Sequence, residues 1–116
     1  MLQHALTEKS PSKIMYQTQA LCCQALRGLE QAAIDGGDLR ATARFCCETG
    51  QQGIVWPVMV GEFYFLGEQE RIANLDAVLE EVGGRLPVVF GCSGVSVPQV
   101  LLFARAAARA DADCVI

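Results

Sequence analysis

Apolar positions along this chain fall into two kinds of run, and the runs alternate. Short uninterrupted ones occur at Gly53-Ile54-Val55-Trp56-Pro57-Val58 and at Leu86-Pro87-Val88-Val89-Phe90-Gly91, each between turns that carry glycine. A continuous apolar run of this length predicts a strand covered on both faces, whereas strict alternation would predict one wet face. Pro57 has no N–H for a ladder and is expected near the end of its strand. Between the two runs, from about Gly67, Ile72, Leu75, Leu79 and Val82 recur at steps of three, four and three, which places them on one face of a helix. Glu68 and Glu70 lie in its first turn, where the helix dipole favours negative charge, and Gly83-Gly84 ends it.

The pattern extends in both directions. Asp35, Gly36, Gly37 and Asp38 give a turn and a carboxylate able to cap a helix over about Asp38 to Thr49, closed by Gly50. Ser96 and Gln99 have capping-box spacing, and Pro98 sits in the first turn of a helix predicted to run through Ala108. Asp113-Cys114-Val115-Ile116 reads as the opening of a further strand. Upstream, Ala20, Leu21, Ala25, Leu26 and Leu29 give Tyr16 to Ala33 helical spacing, with Gly28 a blemish of about 1 kcal/mol against alanine. Residues 1–13 are polar, include Ser10-Pro11-Ser12, and are expected to form a frayed tail, leaving 14–116 as the domain.

Helix and strand alternating at this spacing predicts parallel strands joined by right-handed crossovers. A doubly wound sheet has that signature, and so does a (β/α)₈ barrel. The barrel needs roughly 250 residues and would be present only in part. Periodicity does not choose between them.

Composition narrows the function classes. The 116 residues have a net charge of −4, so no basic surface is on offer to phosphates and nucleic acid is not an expected partner. On the usual apolar set the chain is roughly three fifths apolar against a norm near one half, which fits elements buried on both faces. The longest near-continuous apolar stretch, Gly53 to Gly61, contains Pro57 and is far short of the roughly 20 residues that span a bilayer. No signal-peptide pattern opens the chain, so a cytoplasmic location is expected, with the six cysteines as reduced thiols.

Candidate chemistry is sparse. Gly91-Cys92-Ser93-Gly94 joins a strand to a helix but matches neither the G-x-S-x-G elbow nor a phosphate loop ending in Gly-Lys. Its Ser93 has no general base in view, because the one histidine is His4 in the tail. Cys22-Cys23 and Cys46-Cys47 are adjacent pairs, and neighbouring helical residues point about 100° apart, which suits neither a metal tetrahedron nor a disulfide; packing is the expected role. Trp56 reads as core.

Three segments carry a resemblance. Gly61 to Arg71 (GEFYFLGEQER), Val82 to Gly94 (VGGRLPVVFGCSG) and Ala110 to Ile116 (ADADCVI) resemble, in order and separation, the dihydrodipicolinate synthase and N-acetylneuraminate lyase family, over about residues 34 to 116. In that family a strand ends in Gly-Glu, a Leu and a Glu-Arg pair follow on the next helix, then come Gly-Arg-x-Pro-Val, a Gly at the strand end, and an Ala-Asp that opens the next strand. The resemblance implies a partial (β/α)₈ TIM barrel, about strands two to four. Its parent reaction is a Schiff base between a lysine and a 2-oxo acid such as pyruvate, followed by carbon–carbon bond formation or cleavage, with no metal or other cofactor.

It also implies that the substrate carboxylate is held where Met59, Val60, Gly61 and Glu62 stand. The family has a Thr-Thr pair at the first two of these positions, so the hydroxyls are gone here while backbone donors remain. Glu62 can shape the pocket, or can accept backbone N–H groups and hold the loop. The family's Schiff-base Lys and catalytic Tyr come from later strands, and the two lysines here, Lys9 and Lys13, lie in the tail. The family's first strand and its Thr-Pro-Phe turn have no counterpart in Tyr16 to Ala33. The expectation is therefore a truncated, inactive relative of the lyases. The alternatives are a non-catalytic α/β interaction module and an incomplete gene product. An unclosed sheet would leave Val55, Val58, Val88 and Phe90 as one apolar face; a homo-oligomer or an aggregation-prone product is the expectation, and the alternative is a monomer in which the helix over Tyr16 to Ala33 caps that face.

Overall fold

A computed structural model describes residues 34–59 and 63–116. The polar tail and the helix expected over Tyr16 to Ala33 lie outside the described residues, as does the boundary drawn between residues 13 and 14. In chain order the elements are helix α1 (Gly36–Glu48), strand β1 (Ile54–Trp56), a 3₁₀ turn (Phe63–Phe65), helix α2 (Glu68–Val82), strand β2 (Val88–Phe90), helix α3 (Val97–Arg109) and strand β3 (Cys114–Val115).

The sheet is parallel throughout, in the order β1-β2-β3, with Ile54 opposite Val88, Trp56 opposite Phe90, and Phe90 opposite Val115. Sequential parallel strands with right-handed crossovers carry their helices on one side, and this sheet does so. Ile54, Trp56, Val88 and Phe90 share one core with Leu39, Ala43 and Cys46 of α1, Leu75, Val78 and Val82 of α2, and Phe103 and Ala107 of α3. Helices confined to one face belong to a barrel wall; a doubly wound sheet would carry them on both. Trp56 and Phe90 have ring centroids 6.2 Å apart, Phe90 and Phe103 6.3 Å, and burying each ring stabilises the fold by about 1.5–3 kcal/mol. Trp56 is therefore core, as its place in an apolar run predicts.

This arrangement corrects the grouping of Val55, Val58, Val88 and Phe90. Side chains alternate along a strand, so Val88 and Phe90 turn to the helices, and Val55 with its partner Val89 turns to the other face. Val58 lies beyond the end of β1 and is half-buried. The face opposite the helices is thus narrower than the sequence implied.

Local chemistry sets the element ends. Helix α1 starts two residues earlier than expected because Asp35, and not Asp38, caps it: Asp35 Oδ1 accepts from the N–H groups of Gly37 at 3.0 Å and Asp38 at 3.1 Å. Helix α2 ends where Gly83 takes a left-handed φ of 55°. Its buried face is Arg71, Leu75, Val78 and Val82, with Ile72 and Leu79 only partly covered at its margin. Exposed pairs Arg40–Glu80 (2.8 Å) and Arg44–Glu81 (2.7 Å) join α1 to α2; such contacts orient helices more than they stabilise them.

Strand β3 is fixed to β2 through Asp113. Its carboxylate Oδ2 accepts the Val88 N–H at 2.8 Å, and its own N–H donates to the Val88 carbonyl at 3.1 Å. Asp113→Ala is expected to cost about 1–2 kcal/mol by leaving the Val88 N–H without its acceptor, and Asp113→Asn, whose amide oxygen can still accept, less. Urea unfolding checks this as a lower midpoint at unchanged slope. Equal midpoints for Asp113→Ala and the parent would remove the anchor from the account.

Candidate functional site

In a barrel the carboxyl ends of the strands form the face that carries chemistry. Here that face is built around a close crossing of β1 and β2. Gly91 follows β2, and its N–H donates to the Trp56 carbonyl at 3.0 Å. A Cβ placed on Gly91 would stand 1.7 Å from the Pro57 carbonyl oxygen and 2.9 Å from its carbon. This approach requires glycine, and no turn does, because Gly91 is not among the positive-φ glycines.

Arg71 locks the crossing from below. It is 2% exposed, although it occupies the first turns of an otherwise amphipathic helix. One terminal nitrogen donates to the Gly91 carbonyl at 2.6 Å and the other to the Ser93 carbonyl at 2.9 Å. The guanidinium carbon lies 3.7 Å from the Phe103 ring centroid and 5.1 Å from that of Phe63. Charge-assisted bonds to carbonyls and two aromatic faces thus stand in for a carboxylate partner. Burial pushes the Arg71 pKa down, partly offset by Cys92 and Glu68, but an arginine at this position keeps its proton.

The loop after β2 is held at further points. The Cys92 N–H donates to the Ile116 carbonyl at 2.8 Å, and burial raises the Cys92 thiol pKa against the opposing pull of Arg71. Gln99 Oε1 accepts the Val95 N–H at 2.8 Å, its Nε2 donates to Glu68 at 3.1 Å, and its own N–H donates to Ser96 Oγ at 3.4 Å. Ser96 caps α3 as its spacing predicts, while the Gln99 side chain returns to Val95 and not to Ser96, a variant of the expected box. Next to Arg71, Glu70 accepts the Ile34 N–H at 2.7 Å and the Gly67 N–H at 3.3 Å. Adjacent residues on α2 therefore hold the chain ahead of α1 and the loop after β2.

Of the residues expected to bind substrate, Met59 lies just past β1 at 72% exposure, and Val60, Gly61 and Glu62 lie outside the described residues. Among the described residues no group of three or more His, Cys, Asp or Glu could hold a metal ion, and no helix is long and apolar enough to cross a membrane. Cys46 and Cys47 are free thiols whose pKa burial raises, in keeping with a packing role. Arg71 is the residue that patterning missed. Its signal was present as the Arg of the Glu70-Arg71 pair, four positions before Leu75 on the buried face.

Comparison with known proteins bears on this geometry. The profile of the dihydrodipicolinate synthetase family matches residues 28–116. A 4-hydroxy-tetrahydrodipicolinate synthase of Methylobacterium radiotolerans is 31% identical over 111 residues, covering 96% of this chain and 36% of that enzyme. An uncharacterized DapA-like lyase of Halobacterium salinarum is 33% identical over 84 residues, covering 72% of this chain and 28% of that protein. Among solved structures, the dihydrodipicolinate synthase of Bacillus clausii superposes with a TM-score of 0.72 at 27% identity, over 84% of this chain and 34% of that one. Another dihydrodipicolinate synthase gives 0.71 at 25%, over 79% and 31%. The chain spans about a third of the length of these relatives. With three parallel strands, helices on one side and the strand-end crossing in place, the chain belongs to the dihydrodipicolinate synthetase family and forms part of its α/β barrel.

Proposed function

We propose that this chain is a segment of a Schiff-base aldolase or lyase acting on a 2-oxo acid such as pyruvate, and that by itself it is inactive. One observation carries the reading: the family match covers residues 28–116, and both lysines, Lys9 and Lys13, fall ahead of it. A Schiff base needs an amine of lowered pKa in a dry pocket, where nitrogen adds to the ketone carbon and water leaves. Lysines in a polar tail stay protonated. What the chain does supply is scaffold. The Arg71 clamp and the Gly91 crossing fix the strand ends, and backbone N–H groups at Met59, Val60, Gly61 and Glu62 remain to hold a carboxylate where the family's hydroxyls are missing.

The test is trapping with pyruvate and borohydride, read by mass spectrometry. The intact chain is expected to gain no reduced pyruvate adduct, and an adduct mapped to Lys9 or Lys13 would overturn the proposal. A cytoplasmic location and self-association complete the reading. Met59, Tyr64 and Phe65 are exposed beside the strand ends, and a second copy is the expected cover for them.

A further inference from the structure

Two anchors bracket the chain that follows β1, and they differ in kind. On the near side Pro57 is fully buried and its carbonyl lies against Gly91, so the backbone there is set by the strand crossing. On the far side the turn Phe63–Phe65 closes on Leu66, whose N–H donates to the Phe63 carbonyl at 3.0 Å and whose side chain belongs to the core. Those contacts hold the backbone behind Phe63. Its own ring is held by something else. Tyr64 and Phe65 are exposed, whereas Phe63 is half-buried, with the Arg71 guanidinium carbon 5.1 Å from its ring centroid.

Arg71 has the capacity to hold that ring. Its two terminal nitrogens are committed to the Gly91 and Ser93 carbonyls, and among the described residues its buried Nε has no acceptor. A desolvated cation with a donor unspent is drawn to aromatic faces, and Phe63 offers one. The guanidinium thus bonds the loop after β2 directly and carries that position across to the first residue of the turn after β1. Met59, Val60, Gly61 and Glu62 lie between the two anchors in the chain. An anion held by backbone N–H groups needs them placed to within about 0.5 Å, and the far anchor bears on that placement.

We infer that Phe63 is a positioning residue for carboxylate binding at Met59 to Glu62, acting through its contact with Arg71 and touching no substrate itself. The inference rests on the proposed carboxylate site, and its test is separate from the chemistry. The isotope-labelled full chain is titrated with pyruvate at constant ionic strength, and amide shifts at Met59, Gly61 and Glu62 give the affinity. Phe63→Leu keeps apolar bulk but removes the ring face. It is expected to bind pyruvate about fivefold more weakly, or worse, while unfolding in urea near the parent's midpoint, since the ring is only half-buried. Phe63→Tyr restores the face and should restore the affinity. A merely structural role would not separate affinity from stability in this way.

Parent-like pyruvate affinity in Phe63→Leu would overturn the inference. A lowered midpoint or failure to fold in Phe63→Leu would also do so, by making the ring part of the core. A parent chain with no pyruvate-dependent shift at Met59 to Glu62 would overturn it too, whatever trapping shows. Borohydride trapping is scored separately: an adduct on Lys9 or Lys13 would remove the reading of an inactive segment, and the comparison of Phe63 variants would still decide this residue.

Discussion

Gly91→Ala is expected to lose most or all cooperative folding. The added methyl would sit 1.7 Å from the Pro57 carbonyl oxygen, and neither backbone is free to yield. On one side the Gly91 N–H is bound to Trp56, and on the other the Gly91 carbonyl is held by Arg71. Restoring ordinary contact means moving β1 and β2 apart by well over an ångström and breaking those bonds. Overpacking alone costs about 1–3 kcal/mol, and two lost hydrogen bonds add about 1 kcal/mol or more each. A small domain has only about 5–15 kcal/mol to lose, and each 1 kcal/mol lowers Tm by roughly 4–8 °C. A fall of more than about 10 °C, or no transition at all, is the expected result by calorimetry. Gly36→Ala, where a Cβ meets nothing within 4 Å, is the control and should leave Tm near the parent's. A folded Gly91→Ala with a parent-like Tm would refute the close crossing.

Arg71→Met should come next in size, at about 3 kcal/mol, from two charge-assisted bonds worth about 1.5–3 kcal/mol each less the cost of burying the guanidinium. Methionine matches much of the volume and removes the charge, so the loss isolates the carbonyls of Gly91 and Ser93. Arg71→Lys should fall between, because an ammonium can serve one carbonyl but cannot lie flat on Phe103 while serving the other. Urea midpoints rank the three proteins, and amide chemical shifts of Cys92 to Val95 report whether the loop has moved. If Arg71→Met matches or exceeds the parent in stability, the clamp contributes nothing net and the guanidinium is merely tolerated.

These two residues show where sequence reading stops. Helix α2 was legible because Leu75, Leu79 and Val82 recur at a spacing that needs no knowledge of a partner, and α3 because Ser96, Pro98 and Gln99 mark its start. Strand positions from Ile54 to Trp56 and Val88 to Phe90 were legible as short uninterrupted apolar runs. Which face each strand residue takes was not, since every position in those runs is apolar and only the β1–β2 register separates Val55 from Ile54 and Trp56. The reason for Gly91 was hidden likewise, because its neighbour Pro57 is brought to it by strand pairing. Arg71 ran against the expectation that charge faces water, and its burial depends on carbonyls twenty residues away along the chain. The resemblance named Gly91, Glu70, Arg71 and the Ala112-Asp113 pair without giving a cause. In the structure Gly91 admits a crossing strand, while Glu70, Arg71 and Asp113 each tie a backbone segment remote in sequence.

Strand β3 has two residues, too few for alternation of apolar and polar side chains to choose how it slides against β2. Asp113 favours one choice through the Val88 N–H that its carboxylate accepts, so alignment here leans on one polar side chain at the strand's entrance. A substitution among Val, Ile and Cys along β3 would alter how tightly the strand packs, whereas a change at Asp113 would alter which residues it presents to the outside. Every strand added beyond β3 would inherit the offset, and a shift by a single position would exchange its inward and outward side chains.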